Sequence, residues 1–575
     1  MLSLLLAAIL CQPLEEPGVS VVVFLGVECP LSKLYANRLN DWQDRYPSVR
    51  FLAVDANRHD SAEEVAAFAE EFKLRVPFVK DAGYAARLGA TRNPEAFVVV
   101  DGQIKYRGRI DDRYAPGRSP RAEPSRLDLQ IALEEVLSNR AVAVAETEAV
   151  GCFIDLADEP AAGDVTYPQV AGILHKRCAE CHRPGQVAPF SLLTYDDAAG
   201  WAATIHEVID QGRMPPWGAD PRFGKFVNDI SLNAEEKELL LRWVDGGAPE
   251  GDPALAPAPP EFNDGWKIGQ PDLVLTLAEP YQVPAEGIVD YQEFILDPER
   301  SEDMWIQAIE IRPGNRAIVH HVNTYFRPTK DTPNDRAWMS PAGDVDLASY
   351  VPGNSVTWFR DGIAKFLPAG WVIVLNIHYV TIGTPQEDQT SIAFKLIDFD
   401  QVTHEAATRK TNNYDVLIPP NSITSLSASM TLEDDFLLAA VYPHMHLRGR
   451  KAVFQAKYPS GEIETLLSTK FDFNWQFRYV LTEPKPLPKG TTLLFSGEFD
   501  NTVDNPNNPD PNVTVRYGKL TTDEMFHGMW DIYRPLKRQT TVNYLQLSAG
   551  FLMAGAIWFG CKRSIRREPR VKKLP

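Results

Sequence analysis

Hydrophobic and polar residues follow different patterns in successive parts of the chain. Residues 20–150 alternate short β-branched runs, such as VVVFLG and AFVVVDG, with helix-like stretches such as SAEEVAAFAEEF, which predicts an α/β domain. Residues 163–250 show helical periodicity and predict an all-α domain. A proline-rich linker follows at residues 251–263, and beyond it short runs of β-branched and aromatic residues dominate. These runs predict an all-β region with two sandwich-like lobes, at residues 264–402 and 403–540.

The two ends of the chain predict an exported, membrane-anchored protein. Residues 1–19 contain a short apolar run like a secretory signal, although no Lys or Arg precedes it. Residues 544–561 carry no formal charge and as a helix would span about 27 Å, enough for the hydrocarbon layer. A basic tail follows at residues 562–575 and places that end in the cytoplasm, with the bulk of the chain outside. A buried terminal helix is the alternative for residues 544–561.

Length and charge limit the classes of protein. The chain has 575 residues, and at about 150 residues per domain we expect three or four domains. Its formal net charge is −19. Because nucleic-acid phosphates require a basic face, we expect no nucleic-acid partner.

The first candidate for chemistry is Cys178-Ala-Glu-Cys181-His182, which has the CxxCH spacing of c-type haem attachment. Two thiols three positions apart on a helical turn can each bond a haem vinyl group, and His182 then supplies the proximal nitrogen. The alternative is a zinc or redox CxxC site. A zinc site would need a further Cys or His pair, and only His175 and His206 are available nearby.

A second iron ligand is predicted downstream, at Met214 in the sequence GRMPPW. Consecutive prolines fix an extended backbone that can present a side chain rigidly, and a thioether opposite His raises the haem potential. A buried core methionine is the alternative. The segment resembles a small class I cytochrome c, down to a terminal helix that ends in WVDGGAP. The resemblance implies a covalent haem c that transfers single electrons.

The α/β domain contains a candidate redox thiol. Cys29 follows the strand VVVFLG and opens a probable helix, whose N-terminus lowers the pKa of a thiol. Asn93-Pro94 precedes the strand AFVVVDG, where thioredoxin-like folds place a cis-proline. This domain resembles the thioredoxin and peroxiredoxin superfamily, except that Ser32 stands where thioredoxins have their second cysteine. Cys152 is then a resolving partner or one half of a static disulfide, unless the domain has lost activity and serves for docking.

Six of the eleven histidines lie in or beside four compact motifs of the β region, namely HHV, NIHY, HMH and DEM. His444 and His446 are two apart in a predicted strand, so their side chains leave the same face and can bind one metal ion. Adjacent His320 and His321 would face opposite ways in a regular strand. For both to bind one ion, the strand must bend at this point.

The order and spacing of these motifs resemble the two-lobed copper type II, ascorbate-dependent monooxygenases, over about residues 270–534. The resemblance implies two copper ions with separate ligand sets. Imidazole suits both copper states and a thioether favours Cu(I). The implied ligands of copper site one are His320, His321 and His378, and those of copper site two are His444, His446 and Met525.

The sequence departs from the peptide-amidating members of that family on the substrate side. Where those enzymes have an Arg before the HxH pair, and Asn and Tyr after the Met, this chain has Tyr442, His527 and Met529. Recognition of a peptide carboxylate is therefore not supported.

Together these features predict a multidomain, membrane-anchored oxidoreductase with a thioredoxin-like domain, an all-α cytochrome c domain, a two-lobed all-β copper domain and a C-terminal transmembrane helix. We expect a copper monooxygenase of unknown small-molecule substrate. Its electrons would come through the haem, from an ascorbate-like reductant or another carrier. The alternative is an electron-transfer or metal-handling protein without hydroxylase activity.

Overall fold

The computed structural model describes residues 17–115, 123–156, 163–262, 265–329, 331 and 346–536. Eight α-helices lie within them. They are α1 (Pro30–Arg45), α2 (Ala62–Glu71), α3 (Ala82–Leu88), α4 (Asp128–Leu137), α5 (Tyr167–Arg177), α6 (Tyr195–Gly200), α7 (Ala202–Asp210) and α8 (Ala234–Asp245). Helix α8 begins after Asn233, whose side chain accepts a hydrogen bond from the backbone N–H of Glu236, as the capping-box pattern requires.

The described residues also contain 28 strands, which fall into three successive groups. The N-terminal strands are β1 (Val19–Phe24), β2 (Arg50–Asp55), β3 (Phe78–Lys80), β4 (Arg92–Asn93), β5 (Glu95–Val100), β6 (Gln103–Gly108) and β7 (Cys152–Phe153). The next strands, called here the first lobe, are β8 (Leu273–Thr276), β9 (Tyr281–Val283), β10 (Gln292–Leu296), β11 (Met304–Arg312), β12 (Val319–Arg327), β13 (Asp346–Tyr350), β14 (Val356–Trp358), β15 (Ile363–Leu367), β16 (Val372–Tyr379), β17 (Gln386–Asp388) and β18 (Ser391–Leu396). The remaining strands, the second lobe, are β19 (His404–Asn412), β20 (Leu417–Ile418), β21 (Ile423–Thr431), β22 (Phe436–His444), β23 (Gly449–Lys457), β24 (Ile463–Lys470), β25 (Tyr479–Leu487), β26 (Thr492–Asp500), β27 (Val515–Arg516) and β28 (His527–Pro535).

The N-terminal group forms a five-stranded mixed sheet in the order β3-β2-β1-β5-β6. Strand β1 pairs with β2 in parallel and with β5 antiparallel. Successive residues of β1 point to opposite faces, so Val21 and Val23 join the core with α1, α2 and α4, while Val22 and Phe24 join the core with α3. Both faces of the sheet are therefore covered by helices, as in an α/β fold.

One long sheet runs through both lobes, in the order β25-β22-β28-β19-β15-β11-β18-β8 with β14 paired to β11. The lobes join where β15 and β19 pair in parallel, with Ile363 opposite His404. Each lobe adds a four-stranded sheet, β10-β16-β12-β13 in the first and β21-β26-β23-β24 in the second. Each lobe also has its own buried hydrophobic core.

The predicted fold class included a separate all-α cytochrome c domain, and this prediction is wrong. The described chain is mostly β, and the chain up to Arg534 forms one compact unit. Helices α5 to α8 share a small core around Trp243. The loop between α7 and α8, however, bridges to the second lobe through Ala219 and Phe226, and Phe226 is buried in that lobe's core. Helical periodicity at residues 163–250 could not reveal this, since the residues that join the lobe lie between helices.

We predicted an exported protein held by a C-terminal membrane helix. The structure contradicts this predicted localisation. Among the described residues no helix is long and apolar enough to cross a membrane. The longest of them, α1, has 16 residues and carries several charges, whereas a span needs about 20 apolar residues. The residues on which this prediction rested, 544–561 and 562–575, lie outside the described part of the chain, as do residues 1–16 of the signal-like segment.

Candidate metal centre and redox groups

Copper site one, as predicted from the sequence, falls on two neighbouring strands of the first lobe. Strand β12 pairs antiparallel with β16, and His321 lies directly opposite His378. A β-bulge interrupts the register of β12 between Val319 and His321. A bulge re-aims the side chain within it, and this one brings His320 to the same place as His321. The local bend that the adjacent histidines require is therefore present.

The three imidazoles form a compact, buried cluster. One ring nitrogen from each lies within 4.8 Å of the others, and Nδ1 of His320 is 3.0 Å from Nδ1 of His321. Nδ1 of His378 is buried without a hydrogen-bond partner among the described residues. Burial lowers the pKa of His320 to about 4, and burial together with His320 lowers the pKa of His378 to about 3. Neutral, converging nitrogens with an unsatisfied atom fit a copper ion well.

Copper site two lies where β22 ends and β28 begins. His444 is the last residue of β22, and its ring centroid is 5.3 Å from that of His446. Met445, between them, is fully buried in the second lobe's core, so the two histidines share the other side of the chain. Met525 lies just before β28 and is 7% exposed. These three residues line one cavity.

Each histidine of copper site two has one ring nitrogen engaged by the protein. Nδ1 of His444 lies 2.6 Å from Oε1 of Gln476, and Nδ1 of His446 lies 3.1 Å from the backbone carbonyl oxygen of Asp523. An oxygen acceptor at Nδ1 places the proton there and leaves Nε2 as the lone-pair nitrogen. Both rings are therefore oriented to offer Nε2 to a metal, and the donor set fits copper.

The cavity beside His444, His446 and Met525 measures about 280 Å³ and is lined by residues of both lobes. Tyr291 from the first lobe lines the cavity and stacks on His378 with ring centroids 4.9 Å apart. The pKa of His321 is lowered well below its usual value by burial, then by His378 and His320, and further by His444 and His446. The second lobe's histidines are thus close enough to His321 to affect its protonation.

His527 is a site residue whose role the sequence did not predict. It lies opposite His444 in the β22–β28 pairing, and the two ring centroids are 5.8 Å apart. The ring of Tyr517 stacks against it at 6.0 Å. The spacing of Met525 and His527 repeats that of His444 and His446, and this signal could have identified it.

The CxxCH motif follows α5 on a tight turn. Cys178 and Cys181 are both free and half-buried, and the backbone N–H of His182 donates to the carbonyl oxygen of Cys178 at 2.9 Å. Nδ1 of His182 is buried without a partner among the described residues, and burial lowers the pKa of this histidine to about 4. Two free thiols and a neutral imidazole on one turn fit covalent haem. Met214 is half-buried after α7, and its assignment as second ligand stays a prediction because no described contact joins it to His182.

The same turn packs against the first lobe. A side chain at Gly353 would place its Cβ 3.3 Å from Sγ of Cys181, so the thiol lies against the backbone of this loop. Tyr350, at the end of β13, is paired with Val322, the neighbour of His321 on β12. The CxxCH turn therefore packs against the loop that follows β13, and β13 pairs with β12, the strand that carries His320 and His321.

The candidate thiol Cys29 lies at the start of α1, where the sequence placed it. It is 1% exposed, and its Sγ donates a hydrogen bond of 3.0 Å to the backbone carbonyl oxygen of Asn93, which precedes a cis-proline. Strand β7 places Cys152 directly opposite Asn93. Burial would raise the pKa of Cys29, but hydrogen bonds from Cys152 and Ser32 outweigh burial and lower it to about 6.

No family model matches the chain, and no curated protein matches it. Solved structures similar to part of the chain include an uncharacterised conserved protein from Geobacillus kaustophilus, 23% identical, covering 26% of this chain and 82% of that one with a TM-score of 0.23. They also include a secreted Mycobacterium tuberculosis disulfide oxidoreductase homologous to E. coli DsbE, 20% identical, covering 16% and 68% with a TM-score of 0.15. A third is a thioredoxin-like protein from Aeropyrum pernix, 14% identical, covering 21% and 78% with a TM-score of 0.17. Thioredoxin-like neighbours are thus found over a small part of the chain, and nothing about activity follows from them.

Proposed function

We propose that this protein is a copper-dependent monooxygenase that hydroxylates a small molecule and receives electrons through a covalently bound c-type haem. One observation supports this most strongly. A three-imidazole cluster lies in the first lobe, and a His-His-Met set of the second lobe lines a cavity whose wall includes Tyr291, the residue stacked on His378. Histidines that serve only to pack a core would have no reason to gather in two such groups.

Copper bound at the two sites would supply one-electron reduction at the first and dioxygen activation at the second. The chain's own residues hold both donor sets in place. Gln476 and the carbonyl oxygen of Asp523 fix the orientation of His444 and His446, while Tyr291 packs against His378. The cavity of about 280 Å³ beside His444, His446 and Met525 is the proposed space for the substrate.

The proposed electron entry is the CxxCH turn, where Cys178, Cys181 and His182 would hold the haem. A haem there would supply single electrons, which suits a hydroxylation that needs two electrons delivered one at a time. The position of this turn against the first lobe, beside the loop at Gly353, supports delivery toward copper site one. The external reductant would be ascorbate-like or another electron carrier.

A second candidate function is electron transfer or metal handling without hydroxylation, and His527 favours it. With His527 beside His444, copper site two offers three imidazoles and a thioether. Four protein donors leave no open position, whereas oxygen chemistry requires one. The two candidates therefore differ in whether His527 is bound to the metal.

Copper stoichiometry and oxygen uptake distinguish these candidates. We expect the full chain, loaded with copper and given a reduced donor, to bind two copper ions and consume oxygen. His378→Ala should lose one copper ion and the steady uptake of oxygen. The matched control His206→Ala, on the solvent side of α7 with its side chain 37% exposed, should change neither quantity. Two bound copper ions without oxygen uptake, under any donor and candidate substrate, would favour the metal-handling alternative.

A further inference from the structure

The two cysteines of the N-terminal part flank the same residue. Sγ of Cys29 donates to the carbonyl oxygen of Asn93 at 3.0 Å, and Asn93 is the strand partner of Cys152. Each thiol also affects the pKa of the other, since Cys152 contributes to lowering that of Cys29 and Cys29 raises that of Cys152. Two cysteines that are distant in sequence are therefore held side by side.

The local backbone is built to keep Cys152 in this position. Gly151 has φ of +148°, and a Cβ on it would lie 1.9 Å from the carbonyl oxygen of Asn93, so only glycine allows β7 to approach β4 this closely. On the other side of Cys152, the backbone N–H of Phe153 donates to Oγ1 of Thr204 on α7 at 3.2 Å. The residues before and after Cys152 therefore both hold it in place, Gly151 by its close approach to Asn93 and Phe153 by its hydrogen bond to Thr204.

The two sulfur atoms differ in access and in acidity. Cys29 is 1% exposed, whereas Cys152 is only half-buried. Hydrogen bonds from Cys152 and Ser32 lower the pKa of Cys29 to about 6, and the hydrogen bond to Cys29 together with burial raises the pKa of Cys152 well above its usual value. In thiol–disulfide exchange the sulfur with the lower thiol pKa is the better leaving group. Cys152 is therefore the less buried of the two sulfurs and the more open to an attacking thiolate, and Cys29 is the sulfur that leaves more readily.

We propose that Cys29 and Cys152 form a redox-active disulfide that reacts with an external dithiol at Cys152, with Cys29 as the leaving thiolate. The partner thiolate attacks Sγ of Cys152, the bond between the two protein sulfurs breaks, and Cys29 departs with the electron pair. The partner's second thiolate then attacks the mixed disulfide and releases Cys152. In total the partner dithiol loses two electrons and two protons and becomes a disulfide, and the protein gains both thiols. This site is separate from the proposed copper chemistry and reverses the role expected of Cys29 from its helix-start position.

Peptide mapping tests the pairing in the unaltered protein. The full chain is equilibrated over a series of reduced-to-oxidised glutathione ratios, alkylated, digested and analysed by mass spectrometry. We expect a single two-electron transition in which the peptides of Cys29 and Cys152 become joined. If these peptides stay unlinked at every ratio while circular dichroism shows folded protein, the proposed disulfide does not exist.

Single substitutions test the direction of attack. In Cys29→Ser, oxidised glutathione should form a mixed disulfide at Cys152. In Cys152→Ser, addition at Cys29 should be at least about tenfold slower, because Cys29 is 1% exposed and its burial restricts access to the sulfur. If Cys29→Ser disturbs folding, Cys29→Ala is the second variant, because alanine places a small side chain without a polar group at this buried position. Faster addition at Cys29 than at Cys152 would overturn the proposed order.

Discussion

The histidines of copper site two show how a single hydrogen bond decides which nitrogen is left for a metal. Gln476 engages Nδ1 of His444, and a backbone carbonyl engages Nδ1 of His446. Met525, the predicted third ligand, would add a soft donor. It has a close internal counterpart in Met445, which lies between the two histidines but points into the hydrophobic core. The two methionines therefore lie in different chemical environments, Met445 in the hydrophobic core and Met525 at the cavity.

Met525→Leu should remove the thioether from copper site two without unfolding the protein. Leu and Met have similar volumes, so we expect the free energy of unfolding to change by less than about 1.5 kcal/mol. Oxygen consumption should be abolished, while copper at the three-imidazole site is retained. Copper analysis, oxygen uptake and X-ray absorption of the Cu(I) protein check this, since the Cu–S scattering should vanish.

Met445→Leu is the matched control for that experiment. Its side chain is fully buried away from the cavity, so the Cu–S scattering and oxygen consumption should both persist. Loss of the Cu–S signal in this variant, or its survival in Met525→Leu, would show that Met525 is not the sulfur ligand.

At the scale of elements, irregular backbone positions both groups of donors. The bulge in β12 brings His320 beside His321. On the second lobe, the buried carboxylate of Glu524 accepts the backbone N–H of His446 at 2.8 Å and that of Arg448 at 2.7 Å. Glu524 precedes Met525, so one side chain ties the segment after β22 to the segment before β28.

Glu524→Gln should loosen this connection. A carboxylate offers an oxygen to each amide, whereas the amide side chain offers only one oxygen, so one buried N–H loses its acceptor. Leaving a buried donor unpaired costs about 1–3 kcal/mol. We expect urea unfolding to show a loss of this size, together with weaker copper binding at site two in a chelator competition.

A surface carboxylate provides the comparison. Glu498→Gln removes exposed ion pairs with Arg450 and Lys451, and such pairs contribute less than about 1 kcal/mol. Equal effects of the two substitutions on unfolding and on copper binding would mean that Glu524 does not position the site.

The sequence indicated which donors belong together, because the donors themselves are readable as residue types at fixed spacing. His444 and His446 share a face by strand periodicity, and the required bend at His320 and His321 could be anticipated. The spacing of Met525 and His527 marks His527 as a candidate, but its place beside His444 could not be predicted. That place depends on how β28 pairs with β22, which brings together two residues 83 positions apart in the sequence. Register between distant strands is set by tertiary packing.

At the scale of the whole molecule, a continuous sheet fixes the relation between the two lobes. Strand β15 of the first lobe pairs with β19 of the second, so one sheet continues from lobe to lobe and carries His444 on β22. The three imidazoles of the first lobe lie on the separate sheet that contains β12 and β16. The loop between α7 and α8 inserts Phe226 into the second lobe, while Cys181 lies against Gly353 of the first. The helical segment thus contacts both lobes. The sequence suggested independent domains here, because composition shifts mark the boundaries of segments but do not reveal the contacts between them.

This arrangement leads to a prediction about electron flow in the intact protein. If the CxxCH turn holds the electron donor for copper site one, the reduced haem should be reoxidised faster in copper-loaded protein than in copper-free protein. Met525→Leu should keep the fast phase, because copper site one is intact, whereas His378→Ala should lose it. Stopped-flow absorbance of the haem, with oxygen excluded and the copper pre-oxidised, measures this directly. Equal rates with and without copper would separate the haem from the copper sites and favour the electron-transfer or metal-handling alternative over the monooxygenase.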